Sequence, residues 1–309
     1  MSDILEWGRA ICYSGYRKNQ HPHNGTIPTK EQIFEDLKMI VNDGFKYIRM
    51  YDATEYPEMV CKIIKEEKLP LKLMLGPGLI NSSNNTGCQW NKTIYTPEEL
   101  AERKARNDKR VENLIRIANT YSDVINAVSV GNENTPTWGE NTVAEEVLIE
   151  YAEKLRKETG KPVTFNEGAR EWLNLKELPK YLDIISVHSY SLWYGESIGN
   201  AIAVNKKDLK KVKEMHGQGK QVIFSEVGWT TSQTVGNGMK EGEATEENQC
   251  RYLKELWDWT DKEKIISYVF EMFDEPWKGN ENPAESEKHW GLYYEDRSPK
   301  PAAKKLLLK

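Results

Sequence analysis

Glu133 and Glu226 are the residues whose type and setting most invite chemistry. Each follows an apolar run: Ala127-Val128-Ser129-Val130 leads to Gly131-Asn132-Glu133-Asn134, and Val222-Ile223-Phe224-Ser225 leads to Glu226. A carboxylate at the end of a buried strand is costly to keep charged unless it is hydrogen-bonded. A salt bridge or a loop tether is one reason to place it there. The other is cleavage of a glycosidic bond, which needs one protonated carboxyl and one ionised carboxylate facing each other across a sugar.

Such a pair must be positioned by a frame, and the frame is legible. Eight β-prone runs recur, at 8–14, 45–51, 71–76, 125–133, 162–167, 182–188, 221–228 and 265–273. Several are nearly continuous apolar stretches, as parallel strands covered on both faces should be. Helices with readable starts lie between them. Thr29-Lys30-Glu31-Gln32 forms a capping box, Thr96-Pro97 pairs a cap with a first-turn proline, Thr142 to Glu145 opens a helix that ends at Thr159-Gly160, and Thr245 opens another. Eight β/α units in a chain of 309 residues predict a single (β/α)8 TIM barrel spanning residues 1–309. A doubly wound sheet is the alternative, but Tyr13-Ser14-Gly15-Tyr16 is not the Gly-rich phosphate turn it usually carries.

Loop lengths indicate the working face. Helix-to-strand connections are short, as at Asp43-Gly44, whereas the strand-to-helix connections at 77–95, 134–141, 189–204, 229–244 and 275–298 are long. In such barrels chemistry gathers at the C-terminal strand ends. The polar residues closing the strands are Tyr13; Arg49 and Tyr51; Asn132 and Glu133; Asn166 and Glu167; His188 and Tyr190; Glu226; and Glu271 with Glu275. Strands 4 and 7 lie roughly opposite each other across the barrel mouth, so Glu133 and Glu226 converge on one substrate from two sides. Arg49 either pairs with Glu226 and lowers its pKa, or is a plain interior ion pair. Tyr190 either donates to that carboxylate or is a packed ring, and His188 is either structural or catalytic.

The residues also carry a resemblance. Gly131-Asn132-Glu133, Ser225-Glu226-Val227-Gly228-Trp229, the run from Met272 to Lys278 and the run from Glu287 to Tyr293 resemble glycoside hydrolase family 17, as do Ala10-Ile11-Cys12-Tyr13-Ser14-Gly15 and Ile48-Arg49-Met50-Tyr51-Asp52. This is the β-1,3-glucanase family of the retaining TIM-barrel clan. The resemblance implies Glu133 as acid/base, Glu226 as nucleophile, and Asn132 as holder of the sugar 2-hydroxyl. It makes Glu275, Lys278 and Glu287 polar residues that shape the cleft. Plant members carry Tyr-Pro-Tyr where this chain has His188-Ser189-Tyr190, and alanine at Glu271, which moves the chain towards bacterial and fungal branches that include glucan-remodelling transferases.

The expectation is therefore a retaining glycosidase cleaving β-1,3-glucan. A β-1,3-glucanosyltransferase using the same covalent intermediate is one alternative, and a non-catalytic carbohydrate-binding barrel is another. Tyr13, Arg49, Tyr51, His188, Tyr190, Trp229 and Trp277 join the expected substrate-binding set. Of Trp138, Trp193, Trp229, Trp277 and Trp290, two or three should be sugar platforms. Trp257 and Trp259, two apart on a helix, should divide into one core and one partly exposed residue.

Composition excludes other classes. Lys plus Arg number 43 against 48 Asp plus Glu, a net charge of −5 that argues against nucleic acid or an anionic membrane as partner. No apolar run approaches the length of a membrane span. His21, His23, His188, His216 and His289 form no metal-ligand pattern, and no nucleophile elbow or Walker loop appears, so neither metal nor cofactor is expected. Cys12, Cys61, Cys88 and Cys250 lie far apart and read as reduced and packed. The expected partner is a β-glucan, and the expected state is a monomer. The first seven residues lack the pattern of a secretory signal, which predicts a cytoplasmic protein or one whose signal was removed.

Overall fold

The computed structural model describes residues 4–236 and 238–308. Eight parallel strands close into a barrel in sequence order, with the first pairing the last. They are β1 (Ala10–Cys12), β2 (Tyr47–Met50), β3 (Lys72–Leu75), β4 (Ile125–Asn132), β5 (Val163–Gly168), β6 (Ile184–Ser189), β7 (Gln221–Val227) and β8 (Ser267–Val269). Their apolar residues are buried from both sides, as the continuous hydrophobic runs require. The helices are α1 (Lys30–Asn42), α2 (Glu55–Glu66), α3 (Pro97–Thr120), α4 (Glu145–Thr159), α5 (Ala169–Trp172), α6 (Ala201–His216), α7 (Glu246–Glu263) and α8 (Pro301–Leu306).

The capping boxes at Thr29 and Thr96 form with both reciprocal bonds, and Thr245 caps α7 through Asn248. Thr142 does not open α4. That helix starts at Glu145, and the Thr142 hydroxyl instead donates to Ser83 O at 3.2 Å, tying two loops together. The last strand is shorter than its hydrophobic run. Phe270 N makes the last bond to β7, at Val227 O; beyond it Glu271 N donates to Trp290 O and the Glu271 and Met272 carbonyls accept from the 292–293 backbone, while Met272 N still donates to Cys12 O of β1.

Trp257 and Trp259 are both buried, against expectation. Trp257 packs on Phe45 and Trp259 on Phe224. A helix in the outer ring has neighbours on both flanks as well as beneath, so α7 hides more than one stripe. The four cysteines are free, with Cys12, Cys61 and Cys88 buried. Among the described residues no helix is long and apolar enough to cross a membrane.

Candidate active site

The long strand-to-helix loops gather at one end of the barrel and enclose a cleft of about 1260 Å³. Glu133 and Glu226 both line it. The strands beneath are irregular where the site begins. Register shifts fall between Ser129 and Asn132 on β4, between Val187 and His188 on β6, and between Phe224 and Val227 beside β8. Such irregularities re-aim the side chains that follow them.

Glu226 is held from three directions. Arg49 Nη1 donates to its Oε1 at 2.5 Å, Tyr190 Oη donates to its Oε2 at 2.5 Å, and His188 Nδ1 lies 3.6 Å from Oε2. Burial alone would raise its pKa. The charges of His188 and Arg49, with the bonds from Tyr190 and Arg49, overturn that effect and bring it down to about 2. Glu226 is therefore a fixed, ionised carboxylate.

Glu133 is set differently. Its side chain is 31% exposed, and His188 Nδ1 lies 3.1 Å from its Oε1. Its backbone sits at φ 49°, in the left-handed region that few non-glycine residues occupy. A turn forces this: Glu133 N donates to Asn166 O at 3.0 Å, and Asn134 Oδ1 accepts from Asn132 N at 2.9 Å. That side chain crowds Gly131 so closely that no Cβ fits there. The strained residue stands at the mouth, where strain is commonly kept for function.

Arg49 is an internal clamp. It is 1% exposed, also donates to Asn132 Oδ1 and Ser225 O, and stacks its guanidinium over the Tyr51 ring at 4.4 Å. With the Asn166 amide oxygen turned towards it, Arg49 gains two further bonds of 3.2 Å. Its expected contact with substrate is thus corrected: it reaches Glu226 and Asn132 rather than the cleft surface. Tyr13 has a similar fate. Its ring forms part of the wall, but it is buried, and its hydroxyl meets Asp36 at 3.2 Å.

One end of the cleft is charged. Lys278 pairs with Glu271 at 3.2 Å and with Glu275, which also accepts from Ser14 and from Trp277 Nε1 at 3.0 Å. Burial and the charge of Glu275 push the Glu271 carboxyl well up. Burial acts on Glu275 too, but Lys278 outweighs it and holds that carboxyl down. Glu287 is pushed up to about 7, by burial first, against the pull of Lys278, with the charges of Glu133 and Glu226 adding to it.

Trp229 is not a platform. It is 1% exposed, its indole donates to Glu243 O at 2.9 Å, and its ring packs on Tyr252 at 5.5 Å, all behind the barrel wall. Trp290 is buried as well, and its ring edge supports Tyr190 at 5.1 Å. Trp138, Trp193 and Trp277 line the cleft and stay partly open to solvent.

Glu167 was noted only as a strand-closing residue and emerges as a support. Fully buried at the end of β5, it accepts from Thr135 N at 3.2 Å and Thr135 Oγ1 at 2.7 Å, and from Gly168 N at 2.8 Å. It pins the loop that carries Glu133. Burial, then the charge of Glu133, pushes its carboxyl well above the usual range.

A family model described as the BtgE/BtgC glycoside hydrolase domain matches residues 10–291. The chain belongs to that family. The BtgE/BtgC match takes in every strand of the barrel and each glutamate described above. A glucan 1,3-beta-glucosidase of Arthroderma benhamiae is 31% identical over 128 residues, which are 37% of this chain and 40% of that protein. The alignment thus spans about two fifths of the curated relative. Among solved structures, an endo-laminarinase from Formosa superposes with a TM-score of 0.81 at 20% identity, covering 96% of this chain and 85% of that one. A family 17 beta-1,3-glucanosyltransferase from Rhizomucor miehei gives 0.72 at 19% identity, covering 95% of each. At these identities the superpositions establish the shared barrel.

Proposed function

We propose that this glycoside hydrolase cleaves β-1,3-linked glucans with retention of configuration, using Glu226 as nucleophile and Glu133 as acid/base. The observation that carries the reading is His188. Its Nδ1 lies 3.1 Å from a Glu133 oxygen and 3.6 Å from a Glu226 oxygen, so those two oxygens are at most about 6.7 Å apart. Retaining enzymes keep the carboxyl groups about 5–5.5 Å apart, whereas inverting enzymes hold them roughly 6.5–9.5 Å apart to admit a water.

The steps follow from the two environments. The ionised Glu226 attacks the anomeric carbon as the glycosidic C–O bond breaks, and the leaving oxygen takes the proton of Glu133. This forms a glycosyl ester on Glu226. Glu133, now a carboxylate, removes a proton from water, which attacks the same carbon and releases Glu226. Arg49 and Tyr190 hold Glu226 in place and are ready to receive its charge back when the ester breaks. With its carbonyl oxygen occupied by Arg49, Asn132 has its amide N–H groups left for a sugar hydroxyl. The glucan assignment draws on the names of the relatives and on the strand-end motifs.

The test is a time course on laminari-oligosaccharides, with the anomer of the first product read by NMR. The expected result is shortening, with the β-anomer formed first. An initial α-anomer overturns the retaining mechanism. An untouched substrate overturns the glucan assignment, and products longer than the substrate replace hydrolysis by glucanosyl transfer.

A further inference from the structure

Two indole rings on the rim of the cleft have no role in the chemistry. Trp90 is 65% exposed and Trp138 is 46% exposed, and both line the cavity that holds Glu133 and Glu226. Neither packs on another aromatic ring among the described residues. What marks them is their place: both border the cleft that holds the two carboxylates, and an indole offers a flat apolar face with a polar N–H edge to whatever enters it.

They stand on neighbouring loops that are fastened together. Trp90 belongs to the loop after β3 and Trp138 to the loop after β4. Asn85 Nδ2 donates to Thr137 O at 2.9 Å and to Gly139 O at 2.6 Å, gripping the backbone on either side of Trp138. Gly87 lies so close that a Cβ there would sit 2.7 Å from Thr137 O. At the base, Ser82 N and Ser83 N donate to Thr142 O at 3.0 and 3.3 Å. Asn84 closes the first loop on itself by bonding Tyr95 N and O, each at 2.9 Å. The two rings are therefore offered on a backbone ordered before any ligand arrives, which reduces the entropy lost on binding.

We infer that Trp90 and Trp138 form an outer subsite that stacks on glucosyl units of an extended β-glucan, beyond the unit that meets the two carboxylates. The inference rests on the proposed function for its sugar. It adds that the cleft reads chain length. Trp138 lies five residues after Glu133, so its Cα is at most roughly 17 Å from that of Glu133 along the chain. A few sugar units cover that span. The flat C–H faces of a glucosyl ring suit an indole, and a fixed pair of indoles selects for a chain long enough to reach both.

The experiment compares Trp90→Ala, Trp138→Ala and the double variant with the parent, on laminari-oligosaccharides from the disaccharide to the heptasaccharide. Both positions are exposed, so melting temperatures should match the parent's and confirm folding. KM for the longest substrates should rise tenfold or more in the double variant, with kcat retained. The penalty should shrink steadily as the substrate shortens, and Trp→Phe should recover part of it. A penalty equal at all lengths overturns the subsite, as does none at any length. If the parent ignores every laminari-oligosaccharide but cleaves another β-glucan series, the proposed substrate has failed. The same length dependence, measured on that series, then decides the subsite.

Discussion

Arg49 and Glu226, 177 residues apart in the chain, meet at 2.5 Å with both side chains out of solvent. The contact joins β2 to the end of β7 across the interior of the barrel, beneath the cleft. It keeps the Glu226 carboxyl ionised, the state that the proposed nucleophile requires.

That contact has a pH signature. Glu226 is depressed from 4.5 to about 2, so it stays ionised, and able to attack, down to strongly acid pH. The stabilisation it gives the fold is present above pH 4.5 and is lost as pH falls towards 2. Arg49→Met removes one of the two charges that offset burial. The acid limb of kcat/KM should shift upward by a unit or more, with kcat reduced by about 10²-fold. A pH–rate profile checks this, and an acid limb that stays put would separate Arg49 from the nucleophile's charge.

The division of labour between the glutamates is open to chemical rescue. Glu226→Ala should abolish turnover on every substrate. Glu133→Ala should still form the glycosyl-enzyme from an activated aryl β-glucoside, since a good leaving group departs unprotonated. Added azide should then complete the second step and give a β-configured glycosyl azide. The same product from Glu226→Ala would mean that the roles are reversed.

Trp229 and Trp277 separate packing from binding. Trp229→Ala should cost about 3–5 kcal/mol, lowering the melting temperature by roughly 5–10 °C. Trp277→Ala should leave the melting temperature nearly unchanged and raise KM, because that ring borders the cleft. Thermal denaturation and steady-state kinetics on the same two preparations distinguish the effects.

The misreading of Trp229 shows where sequence reasoning runs out. Side chains alternate along a strand, and an odd offset of three residues separates Glu226 from Trp229. The indole accordingly points away from the carboxylate, towards Tyr252 on α7. Glu167 left no such trace. Its partner Thr135 sits on the next loop over, and nothing in a linear sequence distinguishes a buried carboxyl from a solvated one. The barrel itself was legible because eight β-prone runs, several of them nearly continuous apolar stretches, alternate with helices, three of which open on a capping threonine. The eighth was half legible, since from Glu271 onward the backbone bonds the 290–293 segment in place of β7.

Glu287 should set part of the pH dependence of stability. Its carboxyl rises from 4.5 to about 7 in the folded protein. A raised carboxyl favours the fold at low pH, and that contribution fades as pH climbs from 4.5 through 7. Melting temperatures of the parent should decline across this window, and those of Glu287→Gln should decline less. Equal slopes would remove Glu287 from the titration.

The left-handed backbone at Glu133 sets the working residue against the fold that holds it. An L-residue held there costs about 1–3 kcal/mol, more than the roughly 0.5–1 kcal/mol that glycine's extra unfolded freedom would cost. The charge of Glu133 also presses on Glu167 and Glu287. A library selected only for heat resistance should therefore enrich glycine at position 133, and every such survivor should be a better-folded protein that no longer cuts its substrate. On the proposed roles, a glycine at this one site would exchange turnover for stability.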